Sequence, residues 1–241
     1  MARVRLFFVL LAVLFPLKSF ADCAGIGFVV LRSSAVDEKT YTPFIDNDCI
    51  RQGEFSFGNI DYNPITANQS RDLEKMIALV KDVSSRAPRG VVILAYSETG
   101  KFAAKLASVD SNVKGLFLMD PVDGTPPFSS PKRFPIFLDE KFPTLAIPTV
   151  VLESELGPGF KRLGHSCVPE KMGPERFYKH IAPNSLQRVY LKGFGHADFL
   201  LREGFNLVEL MCGRGVYSKE DAFAVVLEEW NAFVEQMQGQ L

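Results

Sequence analysis

The run from residue 91 to residue 107, VVILAYSETGKFAAKLA, constrains the fold of this chain most strongly. Its first six residues are apolar and mostly of strand-forming types, which predicts a buried strand, and the residues after Ser97 follow a helical pattern. A strand that passes directly into a helix forces the residue at the apex into a strained backbone conformation. Ser97 is therefore a candidate nucleophile, with an ordinary chain reversal as the alternative.

Strand and helix patterns alternate along the whole chain. This order predicts an α/β fold with a mostly parallel sheet and helices on both faces. The predicted strands are residues 27–32, 54–60, 91–96, 115–119, 149–153 and 188–191, and the predicted helices are residues 70–83, 100–107, 174–180 and 219–236. No repeat or linker divides the chain, so residues 22–241 are expected to form one domain.

The first 21 residues have the pattern of a secretory signal peptide. Arg3 and Arg5 precede an apolar core from Leu6 to Phe15, and the small residues Ser19 and Ala21 come before the expected cleavage point. The uncharged run is too short to span a bilayer comfortably, so we expect cleavage and no membrane span in the mature protein. The expected location is the secretory pathway, secreted or endomembrane, with plastid import by way of the signal peptide as the alternative.

Charge and cysteine count limit the partners that we expect. Without residues 1–21 the chain has 24 basic and 28 acidic side chains, a net charge of −4, which does not indicate nucleic-acid binding. An even number of cysteines in an oxidising compartment predicts one or two disulfides. We favour a Cys23–Cys49 pair, because both lie near the start of the domain, over pairings with Cys167 or Cys212. No CxxC or HxxxH spacing indicates a metal.

The third histidine of the chain is the candidate general base. His196 follows a predicted strand, and a histidine after the last strand can reach a serine on an earlier elbow, the chain order of α/β hydrolases. A surface imidazole is the alternative. The orienting acid is harder to place, because Glu153 and Glu155 follow the strand that most often carries it, whereas Asp120 ends the preceding strand. Each of these carboxylates is also consistent with a helix cap or a surface charge.

A proline- and phenylalanine-rich segment, residues 123–144, interrupts the alternation, and its five prolines argue against a regular helix. One interpretation is an apolar cap over the carboxyl ends of the strands, where open α/β sheets bind ligands. The substrate-binding wall would then consist of Phe128, Phe134, Phe137 and Phe142. The other interpretation is a surface loop held in place by its own aromatic side chains.

Short motifs between residues 91 and 233 resemble those of the chlorophyllases and their α/β hydrolase relatives. In order they are AYSETG, DPVDG, ELGPG, CVPEKMGPERFY, GHADFL and CGRG. Chlorophyllases have a GHSRGG-type elbow, DPV(D/A)G, a GxG stretch, C-A-P-E, GHMDML and a late C-G element at corresponding places. The resemblance implies an α/β hydrolase fold, Ser97 as nucleophile, His196 as base, Asp120 as acid, and no cofactor.

The chain departs from the family pattern at groups that bear on the chemistry. Ala95 and Thr99 replace the glycines of the elbow, and Glu98 replaces the arginine after the nucleophile. The Glu98 backbone N–H is the predicted first oxyanion donor, but its carboxylate is unfavourable there unless it points away. The second donor is expected from Ser33 or Ser34, which stand where the family has a His-Gly loop.

The resemblance implies hydrolysis of a carboxylic ester of a bulky apolar substrate, and removal of phytol from chlorophyll if the family's substrate carries over. Acyl transfer by serine, histidine and aspartate would be the mechanism. The alternatives are an impaired hydrolase fold that binds an apolar ligand or a partner protein, and a general secreted carboxylesterase or lipase. The oligomeric state is left open.

Overall fold

The computed structural model of the protein describes residues 23–34, 36–61, 66–124, 130–157, 161–162, 165–200, 212 and 214–241. Its strands are β1 (Ile26–Ser33), β2 (Glu54–Ile60), β3 (Gly90–Tyr96), β4 (Val113–Met119), β5 (Thr149–Ser154), β6 (Lys161–Arg162), β7 (His165–Ser166) and β8 (Leu186–Leu191). Its α-helices are α1 (Thr42–Ile45), α2 (Asp48–Gln52), α3 (Gln69–Arg86), α4 (Thr99–Val109), α5 (Pro174–Tyr178) and α6 (Lys219–Gln240). Two 3₁₀ turns cover Glu38–Tyr41 and His196–Phe199.

Six strands form one sheet in the order β2-β1-β3-β4-β5-β8, and every neighbouring pair is parallel. β6 and β7 pair separately as an antiparallel ladder. The predicted α/β hydrolase architecture is confirmed, as are all six predicted strands and all four predicted helices. The short helices α1 and α2 were not predicted, because four or five residues are too few to display a helical period.

The inner strands β3 and β4 are almost wholly apolar and buried because both faces of the sheet are covered there. On one face Phe28 and Phe117 pack against Trp230 of α6. On the other face Leu31 and Leu118 belong to the core under α3 and α4. Alternate residues of one strand therefore enter two separate cores, and the sheet's carboxyl edge is left for polar side chains.

Two disulfides, Cys23–Cys49 and Cys167–Cys212, use all four cysteines. The expectation of disulfides and the favoured Cys23–Cys49 pair are confirmed. The first joins the segment before β1 to α2, and the second joins the segment before α5 to the CGRG motif. Such bonds are consistent with an oxidising compartment and a secreted protein. No helix in the described residues is both long enough and apolar enough to cross a membrane. The predicted signal peptide lies outside the described residues.

Candidate active site

Ser97 lies on a sharp turn between β3 and α4 and has a backbone φ of 57°. Its N–H donates to the Met119 carbonyl at 2.9 Å, and its own carbonyl accepts the N–H groups of Gly100 and Val122 at 3.0 Å. A left-handed conformation at a residue with a side chain costs of order 1–3 kcal/mol, and surrounding bonds must hold it. These three backbone bonds do so, and the turn has the geometry of a nucleophile elbow.

The elbow forms without the family's glycines because Thr99 takes part in it. The Thr99 hydroxyl accepts the Tyr96 N–H at 3.0 Å and lies within donating distance of the carbonyl oxygens of Leu31 (3.0 Å) and Tyr96 (2.8 Å). Ala95 is fully buried in the sheet, where its methyl group fits the core. The replacements predicted to disturb the elbow are therefore accommodated, one by hydrogen bonding and the other by packing.

Ser97, His196 and Asp120 form a continuous hydrogen-bonded chain. His196 Nε2 lies 2.9 Å from Ser97 Oγ, and His196 Nδ1 lies 2.7 Å from Asp120 Oδ2. Asp120 is fully buried and, with a φ of 44°, it is the other described non-glycine residue in the left-handed region. Because β3 and β4 pair as far as Tyr96 and Met119, the two strained residues leave neighbouring strand ends side by side.

The other two acids considered from the sequence bind elsewhere. Glu153 accepts the Tyr178 hydroxyl at 2.7 Å, and Glu155 accepts the Gly193 N–H at 2.7 Å. Among the described contacts, His196 meets neither of these carboxylates. The geometry brings Asp120, and not Glu153 or Glu155, to the imidazole.

The imidazole is held from two further directions. The Tyr96 ring stacks on the His196 ring at a centroid distance of 4.9 Å, and its hydroxyl donates to the His196 carbonyl at 2.8 Å. The buried Asp198 carboxylate accepts the N–H groups of Gly195 (2.8 Å) and Gly215 (2.7 Å). It thereby joins the histidine turn to the CGRG motif. A side chain at residue 195 or 215 would overlap the facing backbone, so both positions require glycine.

The Glu98 carboxylate points into the protein, where Lys101 and Gln69 bind it. Lys101 Nζ lies 3.0 Å from Glu98 Oε1, and Gln69 Nε2 donates to the same oxygen at 2.6 Å. Lys101 is completely buried, and its ammonium also donates to the carbonyls of Gly124 and Pro135 at 3.0 Å. Burial raises the pKa of Glu98, and the Lys101 charge opposes that rise. The Glu98 carboxylate therefore points away from the elbow, as the sequence analysis required if the Glu98 N–H is to bind an oxyanion.

The backbone N–H of Glu98 makes no hydrogen bond within the described part of the chain. The elbow geometry therefore leaves it available for an oxyanion. The pairing of β1 with β3 ends at Leu31 and Ala95, and Ser33 and Ser97 each follow two residues later. The Ser34 N–H donates to the Ile60 carbonyl at 2.8 Å, which corrects its assignment as a backbone oxyanion donor. Ser33 stays the prediction for the second donor.

The phenylalanine-rich segment packs against the elbow helix. The Phe137 ring lies edge-on to Phe102 of α4 at 5.1 Å, and the buried Phe142 ring lies 5.3 Å from the His180 ring. Phe134 is completely buried. Burial of Phe134 and Phe142 favours the other interpretation, a loop held by its own aromatic side chains, for these two residues. Phe137 is half-buried against the core under α4, and its place in a substrate wall stays a prediction. Phe128 lies outside the described residues.

The second aspartate of DPVDG, Asp123, fixes the phenylalanine-rich segment in place. Asp123 is completely buried and accepts the N–H groups of Phe137 (2.8 Å) and Leu138 (2.9 Å). Its carboxylate also pairs with Arg176 of α5 at 2.9 Å. Asp120 and Asp123, three residues apart, therefore bind different groups: Asp120 contacts the imidazole, and Asp123 holds the phenylalanine-rich segment.

A model of the chlorophyllase family matches residues 62–240, about three quarters of the chain. The chain belongs to the chlorophyllase family. A search of the curated proteins found no match. Together, the family and the fold support ester hydrolysis as the general class of reaction.

Solved structures similar to this chlorophyllase-family chain are α/β hydrolases of low sequence identity. One comes from work on LipS and LipT, two metagenome-derived lipolytic enzymes, with 11% identity, a TM-score of 0.57, and coverage of 88% of this chain and 94% of that chain. A ferulic acid esterase from Streptomyces cinnamoneus has 13% identity, a TM-score of 0.56, and coverage of 88% and 67%. An α/β hydrolase enzyme from the metagenome of lagoon sediments of Mar Chica, Morocco, has 12% identity, a TM-score of 0.57, and coverage of 89% and 94%. At these identities the likeness shows the fold.

Sequence reasoning missed Tyr96, Lys101 and Ser154 as parts of the site. Tyr96 and Lys101 flank the elbow, and Lys101 is the charged residue in the first turn of α4, a signal that was available in the sequence. Ser154 donates two hydrogen bonds to Asp120 from a strand two apart from that of Ser97, and no local pattern indicates it.

The role of the buried Lys101–Glu98 ion pair next to the elbow can be tested by mutation. Lys101→Met should destabilise the protein by about 3–5 kcal/mol near neutral pH, because it leaves the Glu98 carboxylate buried without its cation. The pKa of Glu98 is already raised by burial, so protonation as the pH falls should relieve part of this loss. Urea unfolding at about pH 5 and pH 8 measures the difference. In the double variant Lys101→Met/Glu98→Gln the loss should not depend on pH in this way, and equal losses at both pH values for the single variant would contradict the assignment.

Proposed function

We propose that the protein is a serine carboxylic ester hydrolase. The observation that carries the proposal is the hydrogen-bonded chain from the buried Asp120 and His196 to the half-buried Ser97, with the serine on a strained elbow. A hydroxyl in hydrogen-bond contact with an imidazole that a carboxylate orients is the arrangement needed to activate a weak nucleophile. Ordinary chain reversal does not require the second strained residue, Asp120, to meet the same histidine.

In this mechanism Ser97 Oγ attacks the ester carbonyl while His196 Nε2 takes the hydroxyl proton. Asp120 holds the imidazole with Nδ1–H directed toward it and stabilises the imidazolium. The proton then passes to the leaving alcohol oxygen, leaving an acyl group on Ser97. A water molecule, deprotonated by His196, releases the acid and restores the serine.

The oxyanion of each tetrahedral intermediate would lie against the Glu98 backbone N–H, with a second donor from Ser33. Because the Glu98 carboxylate is bound by Lys101 and Gln69, its negative charge is turned from that oxygen and partly neutralised. The presence of Glu98 next to the nucleophile, which argued most against activity, is thus compatible with catalysis. The alternative is an impaired hydrolase fold that only binds a ligand. Measured esterase activity would exclude it, and a lack of activity would favour it.

For the substrate we propose a bulky apolar ester, with chlorophyll as the candidate from the family. An exposed apolar pair beside the histidine turn supports this class: Val216 and Tyr217 are 76% and 46% exposed. The Val216 N–H donates to the Gly193 carbonyl at 2.9 Å, and the Tyr217 ring lies 5.4 Å from that of Phe194. These side chains therefore lie next to the segment that carries His196 and can contact an apolar chain.

Ser97→Ala should abolish covalent labelling by a fluorophosphonate, because the probe reacts only with an activated serine. Gel fluorescence of the labelled protein measures it at about pH 7. Ser84→Ala, a substitution on α3, is the matched control and should label like the wild type. Persistent labelling of the Ser97 variant, or none in the wild type, would favour the binding-protein alternative.

Asp120→Asn should reduce kcat by about 10⁴-fold, the loss measured when the orienting carboxylate of a serine protease is replaced. Glu153→Gln should change it little, since Glu153 binds Tyr178 and not the imidazole. Both rates are measured on p-nitrophenyl butyrate with circular dichroism as a check of folding. A large loss in the Glu153 variant with a small one in the Asp120 variant would move the acid to β5.

Among p-nitrophenyl esters, kcat/KM should rise with acyl length, because each buried methylene contributes up to about 0.8 kcal/mol. Chlorophyll, assayed by release of chlorophyllide, is the bulky end of the series. The double variant Val216→Ser/Tyr217→Ser should flatten the dependence and spare the acetate. Val109→Ser, which changes an exposed apolar residue at the far end of α4, should leave the series unchanged. A flat wild-type series would indicate a different substrate class.

A further inference from the structure

We propose that Ser154 is a positioning residue of the active site, whose hydroxyl both fixes the Asp120 carboxylate and moderates its negative charge. The inference rests on the proposed function, since it concerns how strongly Asp120 acts on His196. Nothing in the family motifs points to this residue, which ends β5, the strand on the other side of β4 from the elbow strand.

Ser154 contacts both oxygens of the carboxylate. Its hydroxyl donates to Asp120 Oδ2 at 2.6 Å, and its backbone N–H donates to Asp120 Oδ1 at 3.2 Å. Oδ2 is also the oxygen that accepts His196 Nδ1 at 2.7 Å. One oxygen atom therefore accepts a hydrogen bond from the serine hydroxyl and another from the imidazole, and each donor reduces the negative charge available to the other.

The surroundings make this hydroxyl bond strong. Ser154 is 1% exposed and Asp120 is completely buried. The backbone of Gly157 closes the pocket so tightly that a Cβ at that position would overlap Ser154 Oγ and lie 3.0 Å from Asp120 Oδ2. In such a low-dielectric site a hydrogen bond to a charged oxygen is worth more than at a surface, and its loss is not made good by bulk water.

The direction of the effect follows from the charges. When the hydroxyl is removed, the imidazole is the short donor that Asp120 Oδ2 keeps among the contacts of the described residues, and more of the negative charge acts on it. The carboxylate then holds the protonated imidazole more tightly, so the neutral base that Ser97 needs forms only at higher pH. The carboxylate also gains rotational freedom about its strained backbone, which lowers the fraction of well-oriented imidazole and hence kcat.

The other charged or ionisable side chains near the histidine turn are held by contacts that do not involve the Ser154 side chain. Tyr96 stacks on the imidazole, and Asp198 accepts the Gly195 N–H while pairing with Arg214 at 3.3 Å. Glu155 accepts the Gly193 N–H. None of these four is among the described contacts of the Ser154 side chain. A change in the pH profile caused by removing the hydroxyl is therefore attributable to Asp120.

The experiment compares Ser154→Ala with Thr149→Val. Thr149, at the opposite end of β5, is equally buried, and its hydroxyl donates to the Ile147 carbonyl at 2.9 Å, so its replacement costs a buried hydroxyl far from the site. The pH dependence of kcat and KM on p-nitrophenyl butyrate is measured for both. We expect Ser154→Ala to lower kcat about tenfold with little change in KM, and to move the acidic limb up by about one pH unit. Thr149→Val should leave the limb where it is in the wild type.

A second measurement keeps the inference separate from the proposed function. The ring-proton NMR titration of His196, one of three histidines, reports the same change without turnover. If the wild type shows no esterase activity, the proposed function fails, and the titration still decides the role of Ser154. A titration midpoint and acidic limb that stay at the wild-type values, or move to lower pH, would overturn the inference. Should Ser154→Ala not fold, Ser154→Cys, of similar size but a weak donor, is expected to shift both in the same direction.

Discussion

The parallel pairing of β3 with β4 is the constraint on which the site depends. It ends at Tyr96 and Met119, and the next residue on each strand, Ser97 and Asp120, turns into the left-handed region. Neither backbone conformation is favourable for a residue with a side chain, and each costs of order 1–3 kcal/mol. The shared register means that both strains arise at one edge of the sheet, where a single histidine can meet both side chains.

Buried polar bonds around this edge offset the strain and explain several residues that an apolar core would not tolerate. Thr99 bonds to backbone groups of two strands, Lys101 joins the elbow helix to the phenylalanine-rich segment, and Asp123 ties the start of that segment to residues 137 and 138. Each of these side chains is almost inaccessible to solvent. Such groups cost desolvation energy, which well-made hydrogen bonds must offset, so they define one arrangement of the loops more than they add stability.

The long elements and the Ser97 elbow could be predicted because their signals are local: apolar runs for strands, helical periodicity for α3, α4 and α6, and a serine between them. The choice among Asp120, Glu153 and Glu155 could not be made from spacing, since all three follow strands, and only the family motifs favoured Asp120. The burial of Phe134 and Phe142 was not foreseen for a related reason. Periodicity does not distinguish an aromatic ring facing a cleft from one facing a helix, and Phe137 and Phe142 pack beside α4.

The replacement of the family's arginine by Glu98 shows how a change at one position is absorbed by its neighbours. A carboxylate next to an oxyanion would oppose catalysis, yet residue 98 precedes the first turn of α4, and Lys101 lies one turn further along. A pair at this spacing shares one helix face, so the same local geometry that leaves the Glu98 N–H without a described hydrogen bond carries its side chain back toward the Lys101 ammonium. The substitution and its compensation are thus encoded within four consecutive residues, and the proposed oxyanion donor does not depend on the side chain because it is a backbone N–H.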